Sequence, residues 1–217
     1  MFKSFFSVLI IVTFFYLNSL AQEANSIQLN GGIISPMSSS NGLTTSLQYS
    51  HSIDSNISLY VYSGYASWDK HYVIYKEDLT LVQKKQHFRT YSSDGHILIP
   101  VYFGSRIDLH TNKLFTSYVN LEIGYSYLSY SSYNHWKSIN PETGEVLSYS
   151  PDPFTKKEIV ENIFAFGIGV GLSHPVTDNV NLIFTLKLNS NLSSNHSSLF
   201  GSRATYTILA TGFNVKI

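Results

Sequence analysis

Apolar and polar residues alternate with a period of two along most of this chain, and that pattern restricts its fold more than any other feature. From Leu43 the positions Leu43, Thr45, Leu47, Tyr49, His51 and Ile53 share one parity, with Thr44, Ser46, Gln48, Ser50 and Ser52 on the other. From Phe164 the series Phe164, Phe166, Ile168, Val170 and Leu172 opposes Ala165, Gly167, Gly169 and Gly171. From Val180, Leu182, Phe184, Leu186 and Leu188 oppose Asn181, Thr185, Lys187 and Asn189. Successive strand side chains point to opposite faces, so this alternation marks strands with one apolar face and one polar or small face. The same reading gives eight segments, at about 26–35, 42–53, 57–68, 96–108, 115–130, 160–173, 180–190 and 203–217. They are long for globular strands and suit strands tilted across a bilayer.

The connections between them fall into two sorts. Asp54-Ser55-Asn56, Leu109 to Leu114 and His174 to Asn179 are tight, with Asp, Asn or Pro supplying turn chemistry. The connections 36–41, 69–95, 131–159 and 191–202 are longer, and the two sorts alternate strictly. Short turns on one side and long loops on the other are the signature of an outer-membrane barrel, with both termini on the periplasmic side. The expected fold is therefore all-β: an eight-stranded antiparallel up-and-down transmembrane β-barrel with long extracellular hairpin loops.

Residues 1–21, MFKSFFSVLIIVTFFYLNSLA, place Lys3 before an apolar run from Phe5 to Tyr16 and end on Ser19-Leu20-Ala21. The run is shorter than the ~20 residues that a spanning helix needs. It reads as a secretory signal peptide cut after Ala21, leaving residues 22–217 as the barrel domain.

Charge agrees with this division. Between Gln28 and Ser67 the only residue carrying a full charge is Asp54, in a turn. Eight of the 14 Lys and Arg residues, and eight of the 14 acids, lie in 69–95 and 131–159. Faces such as Ile97, Ile99, Val101, Phe103 and Val119, Leu121, Ile123, Tyr125 can meet lipid. Tyr65, Trp68, Tyr127, Tyr130 and Tyr206 near strand ends are read as an interfacial aromatic girdle. The basic and acidic totals are equal, which argues against a nucleic-acid binder. There is no cysteine, which removes disulfide scaffolds, Cys-ligated zinc and thiol nucleophiles.

Three stretches carry a family resemblance. They are Ile99-Pro100-Val101-Tyr102-Phe103-Gly104, Val119-Asn120-Leu121-Glu122-Ile123-Gly124-Tyr125, and Gly167-Ile168-Gly169-Val170-Gly171 followed by Pro175-Val176-Thr177-Asp178-Asn179. With the loop pattern, they resemble the OmpA/OmpX-like transmembrane barrels of Gram-negative envelopes. The resemblance implies an outer-membrane location and a non-enzymatic role in recognition, adhesion or envelope structure. Phe213-Asn214-Val215-Lys216-Ile217 departs from that family, which commonly ends on an aromatic residue. No peptidoglycan-binding domain is expected after this strand.

Inside an eight-stranded barrel the lumen is filled by side chains. The inward candidates are Gln28, Asn30, Gln48, Tyr60, Tyr62, Tyr102, Arg106, Asn120, Glu122, Asn181, Lys187, Asn214 and Lys216. Glu122 and Lys187 lie at similar heights above their turns, so they are expected to pair across the lumen, with Arg106 as a further charge. Such a pair reads first as a structural plug and second as the gate of a narrow pore.

His196 and Ser198 resemble the His-x-Ser of outer-membrane lipid A deacylases. That family carries a downstream Glu, and no acid follows Asp178 here, so the base lacks an orienting group. The eight histidines show no His-x₃-His or His-Glu pairing, so neither metal nor cofactor is expected. Function is therefore assigned to the loops. In 69–95, Tyr72, Val73, Ile74 and Tyr75 form a β-prone stretch before a turn at Lys76-Glu77-Asp78, and Lys84 and Lys85 form a basic patch. In 131–159, Trp136 to Ile139 and Glu145 to Tyr149 flank a reversal at Asn140 to Gly144. The loops are expected to form one protruding sheet that binds an extracellular protein or surface ligand by strand addition. Lipid and lipopolysaccharide are the other expected partners, and the barrel is expected to be monomeric.

Overall fold

The computed structural model describes residues 25–37, 39–69, 74–79, 86–112, 114–144, 146–191 and 205–217. The chain order is β1 (Asn25–Pro36), β2 (Gly42–Asp54), β3 (Ile57–Trp68), β4 (Ile74–Leu79), β5 (Gln86–Thr111), β6 (Thr116–Ile139), β7 (Val146–Pro151), a 3₁₀ turn (Pro153–Thr155), β8 (Lys157–Pro175), β9 (Val180–Asn191) and β10 (Tyr206–Lys216). Eight of these strands close into an antiparallel barrel. Each pairs with its neighbours in sequence, and β1 meets β10 from Ser26–Lys216 to Pro36–Tyr206. The remaining two, β4 and β7, lie outside the ring on the extended ends of β5 and β6.

Parity sorts the two faces. Leu29, Ile33, Leu43, Leu47, Val101, Phe103, Leu121, Ile123, Phe166, Val170, Leu186 and Phe213 point outward and are exposed. A closed barrel satisfies its backbone polar groups in its own ladders, so an outer wall this rich in exposed apolar side chains is stable only against lipid. The inward residues are buried polar groups, tyrosines, glycines and a set of aliphatic side chains that includes Ile34, Leu98 and Leu128. The glycines make room for rings: a Cβ at Gly104 would lie 2.4 Å from Tyr60 Cζ, and one at Gly171 would lie 2.3 Å from Tyr118 Cζ.

Short polar turns close one end. Asp54 Oδ1 accepts from the Ser55 amide at 2.6 Å, and Asn112 Oδ1 accepts from the Leu114 and Phe115 amides at 2.8 Å each. Thr177 Oγ1 accepts from the Val180 amide at 3.1 Å. These contacts supply the local turn chemistry that Asp, Asn and Thr favour. At the opposite end, β5 and β6 continue past the rim. Their ladder bulges between Asp94 and Ile97, where Gly95 adopts a positive φ of 62°. A glycine in the left-handed region inserts the extra residue without a Cβ clash and bends the strand.

Three expectations change. Trp68, Tyr130 and Tyr206 do not belong to an outer girdle: they are 3 %, 2 % and 1 % exposed, whereas Tyr65 and Tyr127 are 45 % and 41 % exposed. The reason is parity, since Trp68 and Tyr130 share the inward face of their strands with Tyr62 and Leu128. Residues Lys76-Glu77-Asp78 are not a turn. They lie in β4 opposite Arg89, Phe88 and His87, because cross-strand pairing outweighs the local preference of the charged triplet. The outer hairpins also form less than one continuous sheet. β5 and β6 are joined there only from Tyr91–Asn134 to Asp94–Ser131, and beyond that pairing they are two separate arms.

The outer wall carries a quantitative expectation. Leu121→Arg should destabilise the barrel by about 2–4 kcal/mol in urea titrations from phospholipid vesicles, the cost of a charge near the bilayer midplane. Ser117→Arg, closer to the turn end, should cost about 0–1 kcal/mol.

Candidate functional site

The lumen is built around one carboxylate. Glu122 on β6 accepts three hydrogen bonds inside the barrel: from Lys187 Nζ at 2.7 Å and Tyr60 OH at 2.9 Å on Oε2, and from Asn189 Nδ2 at 2.7 Å on Oε1. Charge-assisted donors of this kind are the strong ones. Lys187 Nζ also lies 4.3 Å from the centroid of the Tyr62 ring. Local structure explains how the side chains fit. Gly167 pairs with Glu122 on one side and Asn189 on the other, and a Cβ there would lie 2.5 Å from Asn189 Nδ2 and 2.6 Å from Glu122 Cγ.

Arg106 stands apart from this group. It lies one inward position nearer the turn end than Gly104, the residue paired with Glu122. There its Nε donates to Asp108 Oδ1 at 2.8 Å, and its guanidinium lies 3.9 Å from the centroid of the Tyr118 ring. Asp108 sits two residues on along the same strand, so the same-face spacing brings it within reach.

Towards the outer rim the interior becomes aromatic. Tyr102 OH meets Ser126 Oγ at 2.9 Å and Tyr206 OH at 3.2 Å, and its ring stacks on Tyr62 at 5.7 Å. Beyond it, Ile34, Leu98, Leu128, Ile163 and Ile208 pack together with Tyr62 and Tyr102. At the rim the rings of Trp68, His96 and Tyr130 stack in a row, with centroid separations of 4.9 and 5.2 Å. Tyr130 OH donates to Glu161 at 2.7 Å. This row was missed in the sequence, where His96 reads as one scattered histidine. Its shared inward parity with Trp68 and Tyr130 was the available signal.

The loop residues divide in two. Ile74, Tyr75 and Trp136 belong to strands β4 and β6, which bring their backbones into the two arms. Tyr72, Val73, Lys84, Lys85, His196 and Ser198 lie outside the described residues, as do residues 1–21, which the sequence reads as a leader. β4 pairs with β5 on one edge, and β7 pairs with β6 on one edge, so each arm ends the described sheet. The two edges differ in sequence. β4 reads IYKEDL with three consecutive charges, whereas β7 reads VLSYSP with none.

No family model and no curated protein matches the chain. Solved structures do match it. Neisserial surface protein A aligns at 15 % identity over 91 % of this chain and 98 % of its own, with a TM-score of 0.53. A major outer membrane protein from Thermus thermophilus aligns at 11 % identity over 91 % of this chain and all of its own, with a TM-score of 0.56. At such identities the likeness is one of fold. The protein has the fold of the small outer-membrane barrels, as a transmembrane β-barrel of eight strands.

The Glu122 cluster makes a specific prediction. Glu122→Ala strands Lys187 without its partner in the lumen and should cost about 3–5 kcal/mol. The double change with Lys187→Ala should cost less than Glu122→Ala alone, because a lone buried charge is worse than none. Small additive losses in urea unfolding of the four variants would show that the pair contributes nothing.

Proposed function

We propose that this chain is a non-enzymatic outer-membrane protein that recognises an extracellular partner through its protruding arms. In this reading the leader is removed after Ala21. The turn end and both termini face the periplasm, and β4–β5 and β6–β7 stand outside the cell. The observation that carries the reading is the pair of arms, since β4 and β7 end the described sheet there with one edge of each strand unpaired. A rigid scaffold presenting extended elements is a common arrangement for binding.

The partner is an extended segment that adds to the β7 edge. Consecutive charges guard a strand edge against pairing, and β4 carries them while β7 does not. An uncharged, β-prone edge accepts a partner backbone through its own hydrogen-bonding groups, whatever side chains that backbone carries. A passing pore is disfavoured by the interior, where the Glu122 cluster and the Tyr62, Tyr102 and Tyr206 side chains are all buried.

Three measurements test this. The protein should fractionate with outer membrane and change gel mobility on boiling, and recovery from the soluble periplasm would overturn the location. In hydrogen exchange on the reconstituted barrel, amides at 74–79 and 146–150 should be slow, and unfolded-like exchange there would remove the arms as a binding surface. Cells displaying the wild-type chain should attach to protein-coated surfaces better than cells displaying equal amounts of Leu147→Lys/Tyr149→Lys. Equal attachment would remove β7 as the recognition edge.

A further inference from the structure

The turn end of the barrel holds an open cavity of about 640 Å³, lined by Asp54, Asp108, Arg106 and Lys216 among others, and these charges of both signs single out no ligand. The outer end carries a more particular feature. β7 and β8 lie on the same edge of β6, with Pro151 opposite His135 and Lys157 opposite Ser132. Between those pairs β6 has only Tyr133 and Asn134, whereas the returning chain has Asp152 to Lys156. The surplus leaves the ladder as the 3₁₀ turn Pro153–Thr155.

This turn is clamped in place. The Asp152 amide donates to the Asn134 carbonyl at 2.8 Å, and the Asn134 amide donates to Thr155 Oγ1 at 2.9 Å. Inside the turn, Asp152 Oδ1 accepts from the Phe154 amide at 3.0 Å, and Thr155 Oγ1 donates to the Asp152 carbonyl at 2.8 Å. This polar frame holds an apolar ring in solvent. Phe154 is 96 % exposed, more than any other large apolar side chain among the described residues. Single exposed apolar side chains are ordinary on protein surfaces, and this one is distinguished by the frame that fixes it. Lipid does not explain it. The exposed row of β6 that meets the bilayer runs Leu121, Ile123, Tyr125 and Tyr127, and Asn134 lies further along the same strand. At ~3.3 Å of rise per residue and a tilt of ~40°, the clamp stands ~15–20 Å beyond Tyr127.

The charge around the ring is balanced, since the two acids Asp152 and Glu158 match Lys156 and Lys157. A polyanion or an anionic lipid surface is drawn by an excess of cations, which this turn lacks. A fixed aromatic ring inside a mixed polar rim is the form of an interface anchor, which fills an apolar pocket on a folded partner. We propose that Phe154 is the anchor through which the outer end grips a protein partner. Its ring enters an apolar pocket of benzyl size, and the exposed Lys156, Lys157 and Glu158 form the polar rim. The proposal rests on the outer end facing the medium and is independent of strand addition at β7.

The probe is a phage-displayed library of disulfide-closed random peptides, panned on the full barrel in nanodiscs and cleared on empty nanodiscs. A built anchor draws independent clones to one place, so most clones should bind Phe154→Ser about tenfold or more weakly than wild type. The same clones should bind Leu147→Lys/Tyr149→Lys as well as wild type. Folding of each variant is checked by its change in gel mobility on boiling, and the exposed ring can be removed without loss of packing. Heparin and phosphatidylglycerol vesicles should bind neither wild type nor Phe154→Ser. Failure of the library to enrich any clone, or clones indifferent to Phe154→Ser, would overturn the anchor. So would heparin or vesicle binding that is lost in Lys156→Ser/Lys157→Ser, which would make the turn a site for anionic surfaces. Clones that lose binding only to the β7 variant would leave the strand edge standing and the anchor refuted. Clones that bind the nanodiscs but not intact cells displaying the chain would refute the outward orientation on which both rest.

Discussion

The polar backbone of a chain surrounded by hydrocarbon has no water to bond to, and every other feature of this protein follows from how that demand is met. Each unsatisfied amide or carbonyl in such surroundings costs several kcal/mol. The ladder from Ser26–Lys216 to Pro36–Tyr206 joins the first strand to the last and completes the ring. Without that seam, two long edges would face lipid. With it, the wall has no open edge, and its outer side chains are free to be apolar. Beyond the bulge at Gly95, where the strands have left the ring, β4 and β7 present unpaired edges.

Closure also creates an interior too narrow to leave empty. Eight strands enclose a lumen that side chains fill, and the filling here is graded. Carboxamides and serines line the turn end, a carboxylate with three donors holds the middle, and stacked rings occupy the outer rim. Both interior ion pairs are satisfied within the lumen, as the desolvation of buried charge requires. Glycines on the facing strands make this possible. Gly104, Gly167 and Gly171 sit where a Cβ would strike Tyr60, Glu122 or Tyr118. The small positions on one strand are thus the counterpart of the large ones on the next.

The period-two pattern of residues such as Leu43 to Ile53 and Phe164 to Leu172 was enough to place all eight barrel strands and to divide the ends by loop length. It also placed Glu122 and Lys187 on inward faces. Long, two-faced strands are legible because the side-chain period is set by covalent geometry and needs no partner. The outer arms were only partly legible. Asn140 to Gly144 reverses as its Pro and Gly imply, with Gly144 at φ 71°. Lys76 to Asp78 does not reverse, because pairing with residues 87–89 decides its conformation.

Membership of the lumen and neighbourhood within it are separate matters, and the second belonged to the tertiary structure. Parity states that Arg106, Glu122 and Lys187 all point inward. It does not state height, because the stagger between strands fixes which residues meet across the barrel. That stagger set Glu122 against Lys187, Tyr60 and Asn189, and it left Arg106 with Asp108 nearer the turns. It also turned Trp68, His96 and Tyr130 from three scattered aromatic residues into one stacked row. The sequence by itself determined a two-faced chain that had to close around a polar lumen in an apolar surround. Counting from the turns already set Glu122 opposite Lys187. Which donors joined them, where Arg106 went, which rings stacked and where a cavity remained were decided by closure, since contacts across a barrel depend on the relative shift of strands far apart in the chain.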